Sequence, residues 1–288
     1  MKDLKMKKVL FLVLAVVFSV FSYAQDAADK LNQAQEAMKA QDYTTAYKLY
    51  DEAMSNLGDV QVDESINFNI GYAAYKSENL EGAVKYFDKA IEIGTNVSKC
   101  HEYLARLYND KKEYAKAVEN FEKAIEKSEE NSDDLFYSAG VSAFKGKLYE
   151  KATVMFDTAV EKNYKPEISI YYKALALKQL NKSEDYKLTL EEGIAKFPND
   201  DKISSALSKV YSSEGYEKYL SGKEIIDVAN KKVGDGGMTT ADDSYLAEVE
   251  KGKKDFKAAI PLCEKALKLD AKNEDAKKVL DACIESLK

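Results

Sequence analysis

The chain has 288 residues, of which 45% are apolar and 32% charged, so it is long and apolar enough to bury a substantial core. Its formal net charge is −7 and no basic patch stands out, which argues against a nucleic-acid partner because phosphate binding requires clustered cations. Three prolines and 13 glycines leave few helix-breaking residues, and this favours long helices.

The first 24 residues differ from the rest of the chain and are typical of a secretory signal peptide. Lysines precede an apolar run from Val9 to Phe21, and small side chains occupy Ser22 and Ala24, just before Gln25. The run is shorter than the roughly 20 apolar residues that span a bilayer. We therefore expect cleavage after Ala24, which leaves an exported chain, residues 25–288, with 39 basic and 49 acidic residues and no stable membrane insertion.

A four-residue stripe recurs along the remaining chain at nearly constant intervals. One copy consists of Tyr114, Ala117, Phe121 and Ala124, whose offsets of three, four and three place them on one face of an α-helix. The positions equivalent to Ala117 are 46, 83, 117, 152, 186, 222 and 259. A second helical segment with a small residue precedes most copies, and a short turn such as residues 39–42 separates the two. Each unit is therefore predicted to be a pair of antiparallel helices that approach closely at small residues.

This pattern resembles the tetratricopeptide repeat family. Ile70-Gly71, Leu104-Ala105 and Leu246-Ala247 fit the family's Leu-Gly pair, although no repeat has its early tryptophan and Tyr186 replaces an alanine in the fifth. The resemblance implies an all-α fold, a right-handed α-solenoid of about seven helix pairs with a C-terminal capping helix. The expected repeats lie near residues 27–60, 64–97, 98–131, 133–166, 167–200, 201–236 and 240–273, with the cap at 274–287.

The resemblance also implies a binding surface, because the first helices of such repeats line the concave side of the solenoid. Three positions of each first helix are expected to point into that groove. The candidate protein-binding residues are Phe68, Tyr72, Tyr75, Glu102, Arg106, Tyr137, Val141, Phe144, Tyr171 and Leu175. Alternatively, the aromatic members are buried between repeats. Some family members bind the C-terminal tails of chaperones with a clamp of Lys and Asn side chains. At the corresponding positions this chain has Phe68, Tyr72 and Glu102, which disfavours binding of chaperone tails.

The sequence contains no recognisable catalytic, cofactor or metal site, so we expect none of these. The single histidine, His101, has no ligand partner at helical spacing, whereas a zinc site needs three or four ligands. The glycine cluster at 233–243 lacks both a preceding strand and a following Gly-Lys-Ser/Thr, which excludes a phosphate loop. An enzyme is therefore the weakest of the functional hypotheses.

The three cysteines bear on the compartment, because an exported chain meets an oxidising environment. Cys100 lies far from the others in the predicted array, whereas Cys263 and Cys283 fall on neighbouring helices. Free buried thiols are the favoured expectation, and a Cys263–Cys283 bridge is the alternative.

The sequence thus predicts a non-catalytic, exported adaptor that binds a protein segment, of unknown identity, in the concave groove. The final residues around the cleavage site, Ser-Tyr-Ala-Gln, are similar to those of exported proteins from Gram-negative, Bacteroidetes-type bacteria, which indicates the periplasm or secretion. The alternative is an assembly scaffold of a cell-envelope complex that uses its convex and edge surfaces, with groove aromatics that are only structural.

Overall fold

The structure, a computed structural model, describes residues 25–58, 60–129 and 132–288, so the expected signal peptide lies outside the described residues. Within these ranges the chain forms thirteen α-helices and no strand. They are α1 (25–39), α2 (Tyr43–Ser55), α3 (Ile66–Lys76), α4 (Leu80–Glu92), α5 (Val97–Asp110), α6 (Tyr114–Glu126), α7 (Asp133–Lys145), α8 (Tyr149–Glu161), α9 (Pro166–Gln179), α10 (Ser183–Lys196), α11 (Asp201–Gly234), α12 (Asp243–Leu269) and α13 (Glu274–Ser286). The all-α class and the solenoid of helix pairs are therefore confirmed.

The recurring stripe forms the core, as predicted. In α6, Ala117 and Ala124 are fully buried and Phe121 is almost so. Small residues on the first helices allow the close approach: a Cβ on Gly71 of α3 would lie 2.7 Å from the ring of Phe87 on α4. Burying the apolar stripe of each second helix against its neighbours stabilises the array, since each buried methylene contributes about 0.8 kcal/mol.

The turns between paired helices share one backbone feature. Each has a non-glycine residue with a left-handed φ of 58–62°, and these residues are Gln41, Glu78, Lys112, Lys147 and Asn181. A left-handed residue ends one helix and redirects the chain into the next. The turn expected at 39–42 is therefore present, with Gln41 as its left-handed residue, and its geometry repeats from repeat to repeat.

The sixth and seventh repeats differ from the expectation of two helices each. In their place stand single helices of 34 and 27 residues, α11 and α12, which pack against each other. They approach closely at Gly222 and Gly252, where a Cβ on either glycine would lie 2.6 Å from the carbonyl oxygen of the other. Leu246 and Ala247, which the family pattern places at a helix crossing, are exposed instead. The array thus ends in one long helical hairpin capped by α13.

The chain divides into two compact units, one ending at Leu148 and the other spanning Tyr149–Lys288. The core of the first unit contains a cluster around Phe87, Cys100 and Leu104. The second unit has one cluster that includes Ile203 and another that joins Cys263 to α13. All three cysteines are free and buried. None of the described helices combines the length and the apolar character needed to cross a membrane.

Candidate functional site

The predicted groove residues of the second repeat lie along one face of α3. Phe68, Tyr72 and Tyr75 are half-buried, whereas Ile70 and Ala74 on the other side of the helix are fully buried. The steps of four and three residues between the three aromatics keep their rings on one stripe. α3 is therefore apolar on two sides, and part of each ring remains accessible to solvent.

A residue of the next repeat, Tyr103 on α5, joins these rings into one surface. Its ring centroid lies 5.3 Å from that of Tyr72, 5.2 Å from that of Tyr75 and 6.2 Å from that of Phe68. It also stacks on the buried ring of Phe87, at 5.7 Å and an interplanar angle of 9°. Aromatic pairs at such distances contribute about 0.5–1.5 kcal/mol each beyond area burial. We call Phe68, Tyr72, Tyr75 and Tyr103 the aromatic surface.

A cluster of charged side chains, three of them on α5 and one on α7, adjoins the aromatic surface. The Glu102 carboxylate is buried and accepts hydrogen bonds from Lys99 Nζ at 2.9 Å and from Arg106 Nε and Nη2 at 3.1 and 2.9 Å. Asp134 of α7 lies 3.8 Å from Arg106 Nη2. We call Lys99, Glu102, Arg106 and Asp134 the Glu102 cluster. Its two cations and Asp134 remain partly exposed, so they are available to a partner.

The ionisation of the cluster follows from its contacts. Burial raises the pKa of Glu102, but the hydrogen bonds from Lys99 and Arg106 outweigh burial and lower the pKa below its ordinary value. Burial raises the pKa of Tyr72 and Tyr103 above the ordinary tyrosine value, at which the hydroxyl is already protonated at neutral pH. The surface therefore presents neutral phenols beside a fixed negative charge and two cations.

A groove of about 600 Å³ opens beside the Glu102 cluster, between the beginnings of α5 and α7. Lys99, Glu102 and Asp134 line it, together with Lys127 and Ser132. The lining of this groove is mostly polar and charged, with Val97 and Leu135 as its large apolar members, and concave surfaces with convergent polar groups are typical places for a ligand. The aromatic surface and this groove form the candidate site of the first unit.

The remaining predicted residues lie on two other helices. Tyr137, Val141 and Phe144 lie on α7 in the first unit and are half-buried. Tyr171 and Leu175 lie on α9 in the second unit, where they are also half-buried, and Lys202 Nζ stands 6.0 Å from the Tyr171 ring centroid. Thus Phe68, Tyr72 and Tyr75 come together with the Glu102 cluster, and the binding role of all ten residues stays a prediction.

Sequence reasoning missed Tyr103 and Lys99, which the structure places at the centre of the site. A signal for both was present, since Lys99, Glu102, Tyr103 and Arg106 have helical spacings of three, four and seven. The Nδ1 atom of His101 lies 3.0 Å from Oδ1 of Asn120 on α6. The described residues contain no group of three or more metal-ligating side chains.

Comparison with known proteins agrees with this architecture. Models of the tetratricopeptide repeat family match residues 31–97 and, for a second model, residues 104–131 and 246–273. These three segments of the chain therefore match tetratricopeptide repeats.

Individual relatives match at low identity. The chain is 29% identical over 129 residues to Hsp70-Hsp90 organizing protein 1 of Glycine max, a match that covers 42% of this chain but only 22% of that protein. In fold it is similar to a tetratricopeptide repeat protein from Parabacteroides merdae, with 17% identity, coverage of 90% and 99% of the two chains and a TM-score of 0.47. A TPR repeat-containing protein from Cytophaga hutchinsonii gives 16% identity, coverage of 96% and 98% and a TM-score of 0.47.

Proposed function

We propose that the protein is a non-catalytic adaptor whose aromatic surface binds a segment of another protein. The observation that carries the proposal is the meeting of four partly exposed aromatic rings with the Glu102 cluster and its groove. Aromatic side chains suit this role because they bury a large area with few rotatable bonds, and the tyrosine hydroxyls can form hydrogen bonds to a partner backbone.

The charges predict the chemistry of the bound segment. Apolar side chains of the segment would cover the rings, while Arg106 and Asp134 would set its register through polar contacts. The Glu102 carboxylate is buried and already paired with Lys99 and Arg106. The charged groups that a bound segment would meet are therefore the partly exposed Lys99, Arg106 and Asp134.

The proposal places this adaptor in the periplasm of a Gram-negative bacterium or outside the cell, on the basis of the signal-like residues 1–24. Mass spectrometry of protein recovered after export should give a chain that begins at Gln25. An intact N-terminus on the exported protein would contradict the proposed cleavage.

Selection of binding peptides tests the role of the aromatic surface. A phage-displayed library of 12-residue peptides should yield sequences that bind the full chain, and Tyr72→Ala should weaken their binding by about 1–3 kcal/mol. Arg106→Ala should also weaken the binding of these peptides. Ile93→Ser is the matched control, because Ile93 is an exposed apolar residue of the same unit outside the aromatic surface.

Thermal unfolding of the same variants separates binding from a purely structural role. Truncation of the half-buried Tyr72 to alanine should lower the unfolding free energy by less than truncation of a core aromatic, which costs about 3–5 kcal/mol. If Tyr72→Ala shows a core-sized loss, or if every selected peptide binds it as well as the wild type, the aromatic surface is structural. The scaffold alternative would then be favoured.

A further inference from the structure

Two strongly exposed apolar side chains of the second unit lie in one groove. Val154 on α8 is 61% exposed and Leu188 on α10 is 54% exposed. Both line a groove of about 350 Å³, to which α9 contributes Leu177. α8 and α10 are the second helices of neighbouring repeats, so this groove lies on other helices than the aromatic surface. We call it the α8–α10 groove.

The charges of the α8–α10 groove are mostly negative. Asp157, Asp185 and Glu192 line it, and Lys173 is the only cation among its lining residues. Lys173 Nζ is already bonded to Asp157. Neither Asp185 nor Glu192 has an ion-pair partner in the part of the chain that the structure describes. Two carboxylates without a cation therefore flank an exposed apolar centre.

The spacing of these groups matches one face of a helix. Asp185, Leu188 and Glu192 lie on α10 at offsets of three and seven residues, so they form a single stripe with the apolar residue between the acids. Seven residues correspond to about 10.5 Å along the helix axis. A ligand helix with two cations seven residues apart could therefore reach both carboxylates at once.

We propose that the α8–α10 groove binds a cationic amphipathic segment of a partner protein. Its apolar side chains cover Val154 and Leu188 and remove them from water, which is the favourable part of the association. Its lysine or arginine side chains face Asp185 and Glu192, whereas an acidic segment meets like charge and is excluded. The net charge of the whole chain, −7, acts in the same direction by attracting cationic partners.

The test uses a fluorescent, end-blocked 14-residue helical peptide with lysine at positions i and i+7 and leucine at i+3 and i+4. Fluorescence anisotropy with the full chain should show saturable binding that weakens with salt, and replacement of the lysines by glutamate should abolish it. Asp185→Asn and Glu192→Gln should each weaken binding about three- to tenfold, and Leu188→Ser about tenfold. Glu184→Gln is the matched control, since Glu184 is an exposed carboxylate of the same helix that does not line the groove.

Three outcomes would overturn the proposal. They are equal binding of the glutamate peptide, unchanged binding by the Asp185→Asn/Glu192→Gln double variant, and self-association in sedimentation experiments that Leu188→Lys abolishes. The last would make a second copy of the chain the occupant. Tyr72→Ala should leave binding of the lysine peptide unchanged, so failure here is distinguishable from failure of the proposed aromatic surface.

Discussion

Replacing Gly71 with alanine should destabilise the first unit, although the same change usually stabilises a helix. The added Cβ would lie 2.7, 2.9 and 3.1 Å from three ring carbons of Phe87, whereas carbon atoms in contact prefer about 3.5–4.0 Å. Phe87 is fully buried and stacked on Tyr103, so its ring has no free space into which it can move. The strain would be transmitted to the aromatic surface through Tyr103.

The expected magnitude combines two opposing effects. Overpacking a well-packed core costs about 1–3 kcal/mol. Alanine in place of glycine in a helix gains about 1 kcal/mol. We therefore expect Gly71→Ala to lower the free energy of unfolding by up to about 2 kcal/mol, and the Tm by up to about 8 °C for a unit of this size.

The assay is thermal unfolding followed by circular dichroism, with near-ultraviolet signals reporting the tyrosines. Gly234→Ala is the matched control, because a Cβ there meets nothing within 4 Å and stability should stay unchanged or rise slightly. In a double-mutant cycle, Phe87→Leu should remove most of the cost of Gly71→Ala, since it shortens the side chain that the new methyl strikes. The reasoning is refuted if Gly71→Ala raises the Tm as an open helical site would.

The other predictions concern pH, thiols and the long hairpin. The folded-state pKa of Glu102 is lowered, so its contribution to stability is present above the ordinary glutamate pKa and is lost as the pH falls through the lowered value. The Tm of Glu102→Gln should therefore lie below that of the wild type at pH 7 and approach it in acid, and parallel curves would contradict this. Thiol titration of unfolded, unreduced protein should find three free thiols, and a result of one free thiol would indicate a disulfide. In the folded protein, burial raises the pKa of Cys283 to about 11, so this thiol should react slowly. Gly222→Ala should force α11 away from Gly252 and lower the unfolding free energy of the second unit by about 1–3 kcal/mol, and an unchanged Tm in the same assay would show that the contact is loose.

The sequence by itself determined the repeat and its core. The stripe of Tyr114, Ala117, Phe121 and Ala124 could be read from spacing alone, because helix periodicity and burial act on residues only three or four apart. The alanines of this stripe are fully buried in the structure. Where small residues recur with this period, helices that pack closely at those residues follow from local sequence. At positions 222 and 259, however, the helices are the long α11 and α12 in place of short pairs.

Only the tertiary structure decided where the helices end. The left-handed turn residues Gln41, Glu78, Lys112, Lys147 and Asn181 are chemically diverse, so no single residue type marks the end of a helix. One and two repeat intervals beyond Asn181, Glu217 and Lys254 remain inside α11 and α12. A left-handed non-glycine residue costs about 1–3 kcal/mol, and it persists only where packing of the next helix offsets that cost. In the long hairpin, α11 and α12 pack against each other and keep their backbone hydrogen bonds by staying helical.

The candidate site shows the same division between sequence and structure. The positions of Phe68, Tyr72 and Tyr75 on one face of α3 followed from their spacing, but their contact with Tyr103 joins residues of two repeats. Whether a ring on a helix face is accessible or covered depends on the neighbouring repeat, and the sequence of one helix does not contain that information. The pairing of Glu102 with Lys99 and Arg106 lay within local reach, whereas the approach of Asp134 to Arg106 required α7 to pack beside α5.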